Sequence, residues 1–412
     1  MSRIIFHIDV NSAFLSWSAV QRLKDGETVD LREIPSAVAG DGQSRRGIIL
    51  AKSTPAKKYG IQTGEPTGMA LQKCPELVCI PPDFPLYSRS SEKMFQLLGE
   101  YSDRIEQFSI DEGFLEYTGM EALFGPPLEA AKTIQHRIFT ELGFTGNIGI
   151  SCNKLLAKMA GELEKPNKLI TLFPDELEKK LWPLPVSELF MVGRRTAPKL
   201  RKMGIRTIGD LAKYPTDLLV LEFKSFGMTL HAFANGMDDS PVAAATEVHE
   251  IKSIGNSTTI AYDVTDRETA HRILLALAET VALRLRGSKL CAQEIAVTLK
   301  TSDFQVYSHQ KQLLNAIDCT NAVYETAIEV FDHAWKGEPL RLLGIRAGKL
   351  CDEGCVQLSL LEPDWSKQKK ADAAMDQIRM KYGKDTVKRS TFAGSEEKAY
   401  EGGKLKINNR IL

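Results

Sequence analysis

Ile4-Ile5-Phe6-His7-Ile8-Asp9 near the start of the chain and Phe108-Ser109-Ile110-Asp111-Glu112 further on carry the reading of the fold. The first is a short apolar run ending on a carboxylate, which predicts a buried strand over residues 4–8. The second lies in a strand-like stretch from Ile105 to Tyr117 and puts two carboxylates side by side. An ionised carboxylate beside a buried strand is costly unless it is paired or binds a metal. Successive side chains of a strand face opposite sides, so Asp111 and Glu112 meet one site only where the strand bends or ends. Three carboxylates on two neighbouring strands suit a pair of Mg²⁺ ions bridged by phosphate oxygens, because Mg²⁺ takes few carboxylates together with phosphate and water.

Outward from these runs, residues 13–24 read as a helix broken by Asp25-Gly26, and Pro35 to Gly47 reads as a Gly-rich loop. Ile48-Ile49-Leu50-Ala51 predicts a second buried strand, and Ala56-Lys57-Lys58-Tyr59 a short helix after Pro55. Met94, Leu97, Leu98 and Tyr101 give helical spacing between Leu86 and Glu106. Strands and helices alternate to about residue 170, the mark of an α/β or α+β layer. Residues 170–245 are helix-rich and punctuated by Gly193, Gly204, Gly209, Gly227 and Gly236. Residues 246–355 read as a separate α+β domain. There Thr265-Asp266-Arg267-Glu268 has the form of a capping box, opening a helix with Ile273, Leu277 and Val281 on one face. Ile295–Leu299 and Leu340–Ile345 are its strand-like runs.

The chain has 412 residues, enough for two to four domains, with 53 basic against 53 acidic residues and 43% hydrophobic residues. That balance excludes a disordered or collagen-like chain. No apolar run reaches the roughly 18 residues of a membrane span, and the early His7 and Asp9 interrupt any signal peptide, so a cytoplasmic protein without membrane contact is expected. The seven cysteines are odd in number and never spaced C-x-x-C, which argues against a disulfide framework or a zinc site.

Several ordered motifs together resemble the Y-family DNA polymerases, the translesion enzymes. Bacterial polymerase IV is the branch resembled, with some features of the polymerase V catalytic subunit branch. They are Asp9-Val10-Asn11-Ser12-Ala13-Phe14, Gly47–Leu50 leading to Ala56–Ile61, Ser109–Leu115, Gly149–Ala160, Lys165-Pro166-Asn167, and Gly193 through Gly204 to Leu211. The resemblance implies an α+β multidomain right-hand polymerase. Its palm would span residues 1–12 and 83–168, its fingers 13–82, its thumb with a helix-hairpin-helix 169–240, its little finger 246–355, and a tail 356–412. It implies a template-directed, low-fidelity polymerase that adds dNTPs to a primer 3′ end on primer-template DNA by two-metal nucleotidyl transfer, in DNA damage tolerance and repair. Asp9, Asp111 and Glu112 fall on the metal-binding and catalytic triad, and the Val10 carbonyl on its backbone ligand. The ions would be two Mg²⁺, with Mn²⁺ able to substitute. Phe14 falls on the steric gate that rejects ribonucleotides. Ser12, Ala13, Phe14, Thr54, Lys57 and Lys165 fall on nucleotide-binding positions.

The chain also departs from the family pattern. Thr54-Pro55-Ala56-Lys57 replaces a common Tyr-x-Ala-Arg element, and a lysine there is a point charge where arginine offers a planar fork. Asn11 and Ala13 stand where an acid and a larger aromatic are frequent, and Gly113 replaces a frequent alanine.

From Gly193 to Arg206 the basic residues Arg194, Arg195, Lys199, Arg201, Lys202 and Arg206 occur with no acid until Asp210, and are expected to meet DNA phosphate. Lys154 and Lys158, four apart on an expected helix, could meet phosphate too. Residues 246–355 hold 12 basic and 15 acidic residues, net −3, so a DNA-gripping face there would have to gather residues such as Lys252, Arg284, Arg286, Lys289 and Lys300. Gln357-Leu358-Ser359-Leu360-Leu361 resembles the sliding-clamp-binding peptide, with Gln357, Leu358, Leu360 and Leu361 as contacts. The remaining tail is basic, with 12 Lys or Arg against 6 Asp or Glu over residues 366–412. A monomer is expected. The alternative functional reading is a non-catalytic, clamp-tethered DNA-binding protein that keeps the fold.

Overall fold

A computed structural model describes residues 3–40, 47–244, 247, 250–353, 365–383, 386–387 and 389–392. Twelve strands occur among them: β1 (Ile5–Val10), β2 (Ser36–Ala39), β3 (Ile49–Lys52), β4 (Val78–Ile80), β5 (Ile105–Gln107), β6 (Glu112–Glu116), β7 (Gly146–Ser151), β8 (Leu169–Thr171), β9 (Ser253–Val264), β10 (Leu290–Thr301), β11 (Val306–Ile317) and β12 (Leu340–Asp352). The described residues form two compact units that divide after Glu247.

In the first unit a five-stranded sheet has the order β5-β6-β1-β7-β8, with β1 antiparallel to both β6 and β7. β1 is covered on both faces, which is why it reads as a continuous apolar run. Its alternation sorts the side chains. Phe6, Ile8 and Val10 enter a core shared with Leu15 and Trp17 of the helix Ala13–Lys24, Met94 and Leu98 of the helix Phe84–Leu98, and Ile134 of the helix Pro127–Arg137. Each such fully buried side chain contributes about 1.5–3 kcal/mol. The other face of β1 carries Ile5, His7 and Asp9, and Ile5 packs with Phe114 and with Ala157 of the helix Lys154–Leu163. That helix sits unusually close to β7, since a Cβ on Gly149 would collide with the Ala157 carbonyl and the Gly161 amide.

Three expectations shift here. The stretch Ser109-Ile110-Asp111 is the turn between β5 and β6 and not mid-strand, because Phe108 N and Ser109 N both bond the Glu112 carbonyl at 3.1 and 3.0 Å and close the hairpin. The loop expected over 35–47 begins as β2, a run of small residues that is buried throughout and forms the centre of a second sheet, order β3-β2-β4. The short helix starts at Thr54, two residues early, because the Ser53 hydroxyl caps it by accepting the Ala56 amide at 3.1 Å.

Residues 174–236 form short helices around Leu181, Leu200, Leu211, Leu219 and Leu230. The helices Thr196–Lys202 and Ile208–Lys213 flank a turn with Gly204 at φ 86°.

The second unit is a four-stranded antiparallel sheet, order β11-β10-β12-β9, with the helices Arg267–Gly287 and Thr320–Ala334 packed on one face. Ile273, Leu277 and Val281 are buried as expected. The first helix is capped by Asp266, which accepts the Thr269 amide at 2.8 Å, and not by Thr265. Residues Ser366–Tyr382 form a further helix on this unit. Arg286 is turned into it, bonding Asp376 at 2.7 Å and Asp372 at 3.2 Å, so it is not the exposed phosphate contact expected of it.

Candidate active site

The candidate site lies on the Asp9 face of the first sheet. Asp9 and Glu112 are direct register partners on β1 and β6, so their side chains share one face. Asp111 precedes β6 in the turn, and its carbonyl accepts the Val10 amide at 3.0 Å, which locks the turn to the end of β1. The Ser109 hydroxyl donates to the Asp111 carboxylate at 2.5 Å. Asp111 thus stands in the turn and Glu112 at the first position of β6, the kind of place, a strand end, at which the alternation of side chains allows two successive acids to serve one site.

Each of the two register partners is matched by a lysine. Lys165 bonds Asp9 Oδ2 at 2.5 Å and Glu162 at 2.8 Å. Lys158 bonds Glu112 Oε2, and His7 Nε2 lies 2.9 Å from the same oxygen. Side-chain exposures of 15% for Asp9 and 16% for Glu112 leave both carboxylates largely dehydrated. Burial alone would raise the Glu112 pKa, but the hydrogen bonds from His7 and Lys158 outweigh it and hold the carboxyl down at about 2. For Asp9 burial wins over Lys165, and its pKa is raised. Burial also pulls at the Lys165 ammonium, yet Asp9 and Glu162 together raise its pKa. A buried carboxylate of this kind is stable only with a cation beside it.

The donor set fits a hard divalent cation: three carboxylates and the carbonyl of Val10 at one strand end, all oxygen. Among the described residues no three His, Cys, Asp or Glu side chains gather closely enough to hold an ion, and Asp9 and Glu112 are each paired with a lysine. Lys158 and Lys165 supply the positive charge in that arrangement.

Ser12, in the left-handed region at φ 49°, and Ala13 open the helix that carries Phe14. The Phe14 ring is half-buried and held by aromatic neighbours. It stacks on Tyr87 at 4.5 Å and 9°, and meets Phe84 edge-on at 6.2 Å. Asn11 is a junction. Its Oδ1 accepts the Asn167 amide at 2.9 Å and the Thr145 hydroxyl at 3.0 Å, and its Nδ2 donates to Asn147 at 3.0 Å. That network fixes the Lys165-Pro166-Asn167 turn over Asp9 and gives the departure at position 11 a structural purpose. Gly113 is explained as well, since a Cβ there would lie 2.5 Å from the Phe95 ring and 2.9 Å from the Glu106 carbonyl.

The structure sets Asp9 opposite Glu112 with Lys165 on Asp9, and ties Val10 to Asp111 by a backbone hydrogen bond at the adjoining turn. Thr54 and Lys57 stand exposed on the short helix beside the second sheet. Arg194, Arg195, Lys199, Arg201, Lys202 and Arg206 are all exposed, with Lys199 bonded to Glu222 at 2.9 Å. Gln357, Leu358, Leu360 and Leu361 lie outside the described residues. Lys154 is occupied by Glu106, both oxygens at 2.7 Å, as Lys158 is by Glu112, so neither stands free for phosphate. The residue missed from sequence is His7. Its signal was available: two positions before Asp9 on a strand, it must share the Asp9 face. Cys74, Cys79, Cys152, Cys291 and Cys319 are free thiols, and none of the described helices is long and apolar enough to cross a membrane.

Comparison with known proteins gives the family. Residues 8–162 match the impB/mucB/samB family, residues 251–360 its C-terminal domain and residues 174–205 its HHH motif. A DNA polymerase IV of Clostridium acetobutylicum is 47% identical over 403 residues, covering 97% of this chain and 100% of that protein. DNA polymerase IV 1 of Bacillus subtilis is 36% identical, covering 97% and 96%. Among solved structures, a Y-family DNA polymerase chimera superposes with TM-score 0.73 at 23% identity, covering 85% of this chain and 99% of that one. DinB from Sulfolobus solfataricus gives 0.53 at 24% identity, covering 84% and 98%. These two show the same fold. With a relative of 47% identity aligned along nearly its whole length, the chain belongs to the Y-family DNA polymerases, as a polymerase IV-like member.

Proposed function

We propose that this chain is a template-directed translesion DNA polymerase that extends a primer 3′ end with dNTPs at the Asp9, Asp111 and Glu112 site. The observation that carries the reading is the placement of Asp9 and Glu112 as register partners with Asp111 at the adjoining turn. The chemistry that two bound Mg²⁺ ions supply there is activation of the attacking 3′-oxygen and steadying of the leaving pyrophosphate oxygen. Asp9, Asp111, Glu112 and the Val10 carbonyl would hold them, and Lys165, which bonds Asp9 here, would turn to the triphosphate of a bound nucleotide. Phe14 closes the space beside the sugar, while Ser12, Ala13, Thr54 and Lys57 line the nucleotide side.

In this reading residues 1–12 and 83–168 are the palm, 13–82 the fingers, 169–240 the thumb and 246–355 the little finger. The short fingers check the nascent pair loosely, which lowers fidelity and admits damaged templates in damage tolerance and repair. The protein works in the cytoplasm as a monomer. Primer extension on undamaged and lesion-bearing templates tests this. Extension past a lesion supports it, and no extension despite retained DNA binding contradicts it.

The thumb hairpin holds the DNA backbone through Arg194, Arg195, Lys199, Arg201, Lys202 and Arg206. If about four phosphates are neutralised, this element contributes a log–log salt slope of about −3 to −4. Replacing Arg194 and Arg195 by alanine is expected to make that slope shallower by about 2, with weakening alike on all sequences. An unchanged slope in a salt titration of binding would remove these residues from the interface.

Residues 357–361 dock the sliding clamp, tethering the polymerase to DNA and raising its local concentration. Changing Leu360 and Leu361 to alanine is expected to abolish clamp stimulation and spare basal extension. A loss of basal extension would make this segment structural.

A further inference from the structure

Lys158 has more partners than an ion pair needs. Its ammonium bonds Glu112 Oε2 on one side, and on the other lies 5.2 Å from the ring centre of Phe108 and 5.6 Å from that of Phe190. The two rings meet at 6.1 Å, and Phe190 stacks in turn on Phe233 at 6.3 Å. The side chain is only 14% exposed, on the wall of a small cavity of about 120 Å³ that these rings line. A cation so enclosed is held by carboxylate and ring faces together and has little freedom to leave.

Two details make this more than packing. His7 and Lys158 both bind the same oxygen of Glu112, so the plane of the carboxylate is fixed and Oε1 is the oxygen neither of them takes. Phe190 is followed by Met191, in the left-handed region at φ 71°, and then by the exposed Arg194 and Arg195. The ring that holds Lys158 therefore belongs to the base of the basic hairpin.

We infer that Lys158 is a positioning residue that aims the Glu112 carboxylate, and that Phe190 makes this aim depend on the seating of the basic hairpin. The inference rests on the proposed role of Glu112 as a metal ligand.

The test uses the full chain with primer-template DNA whose primer ends in a dideoxynucleotide and with the matching dNTP, so that no turnover occurs. Mn²⁺ is titrated and its free concentration is read by electron paramagnetic resonance. Lys158→Met is expected to weaken Mn²⁺ binding about tenfold and to lower kcat by a similar factor, with DNA affinity in the absence of dNTP unchanged. Lys158→Arg, which keeps charge and ring contact, restores most of both. Phe190→Leu is expected to weaken Mn²⁺ binding roughly threefold, and to add nothing further once Lys158 is methionine.

Wild-type Mn²⁺ binding in Lys158→Met, or a Phe190→Leu effect that adds in full, would overturn the inference. Should Lys158→Met fail to fold, Phe190→Leu decides, and unchanged binding there overturns it. Glu112→Gln separates the two levels. If it too leaves Mn²⁺ binding intact, the metal site itself is misassigned. If it abolishes binding while Lys158→Met does not, the positioning role alone fails.

Discussion

Asp111→Ala is expected to reduce primer extension at least a hundredfold while leaving DNA binding nearly intact. The Asp111 side chain makes one hydrogen bond, with the neighbouring Ser109, whereas its backbone carbonyl holds Val10 and survives the substitution. The hairpin should therefore fold, and the loss should fall on the site. Removing a carboxylate that stabilises transferring phosphate through a cation costs several kcal/mol of barrier, and each 1.36 kcal/mol is tenfold in rate. The expected change is in kcat, at unchanged affinity for primer-template. Residual activity above about one percent of wild type would remove Asp111 from the site.

Phe14→Ala is expected to admit ribonucleotides. The ring cannot move aside, because Tyr87 stacks against it and Phe84 and Trp17 hold its edges at 6.2 and 6.0 Å. Behind them Tyr87 is fully buried and its hydroxyl is 3.0 Å from that of Ser18. A rigid wall rejects an extra atom by overlap, at about 1–3 kcal/mol, so discrimination against a 2′-hydroxyl should fall roughly 10- to 100-fold. The comparison is kcat/KM for a dNTP against its ribonucleotide, with thermal melting alongside to register the lost packing. Melting that falls while discrimination stays would make Phe14 a core aromatic only.

What the sequence made legible follows from burial. β1 was readable because both its faces are covered, and Asp9 stood out as the charge that ends it. The turn at 108–111 was not, since Phe108 and Ile110 look like strand residues and only the pairing of β5 with β6 shows where the chain reverses. β2 was hidden by small residues, Ser36 to Ala39, whose burial depends on neighbours distant in the chain. β9 and β11 escaped because they are half exposed and polar. The helix Ser366–Tyr382 shows no apolar stripe. Ion pairs with Arg286 hold it, beside the Lys369–Asp318 pair at 2.9 Å, and charge pairing of that kind leaves no period in a sequence.

The site divides the same way. That Asp9 stands at a strand end, and that Asp111 and Glu112 follow an apolar run, could be read from the sequence. Which cations answer them could not, because Lys158 and Glu112 meet only through the helix Lys154–Leu163 crossing the sheet. The spacing of Lys154 and Lys158 showed a shared face correctly, and the structure gives that face to Glu106 and Glu112.

The central claim is that Asp9, Asp111 and Glu112 converge on divalent ions at a nucleotide's phosphates. Anomalous scattering from Mn²⁺ in crystals of the full chain with dideoxy-terminated primer-template and dNTP tests it most directly. Two peaks are expected within about 2.0–2.3 Å of oxygens from all three carboxylates, with Lys165 displaced from Asp9 toward the triphosphate. Peaks bound by the nucleotide alone, with Asp9 still on Lys165 and Glu112 still on Lys158, would contradict the account.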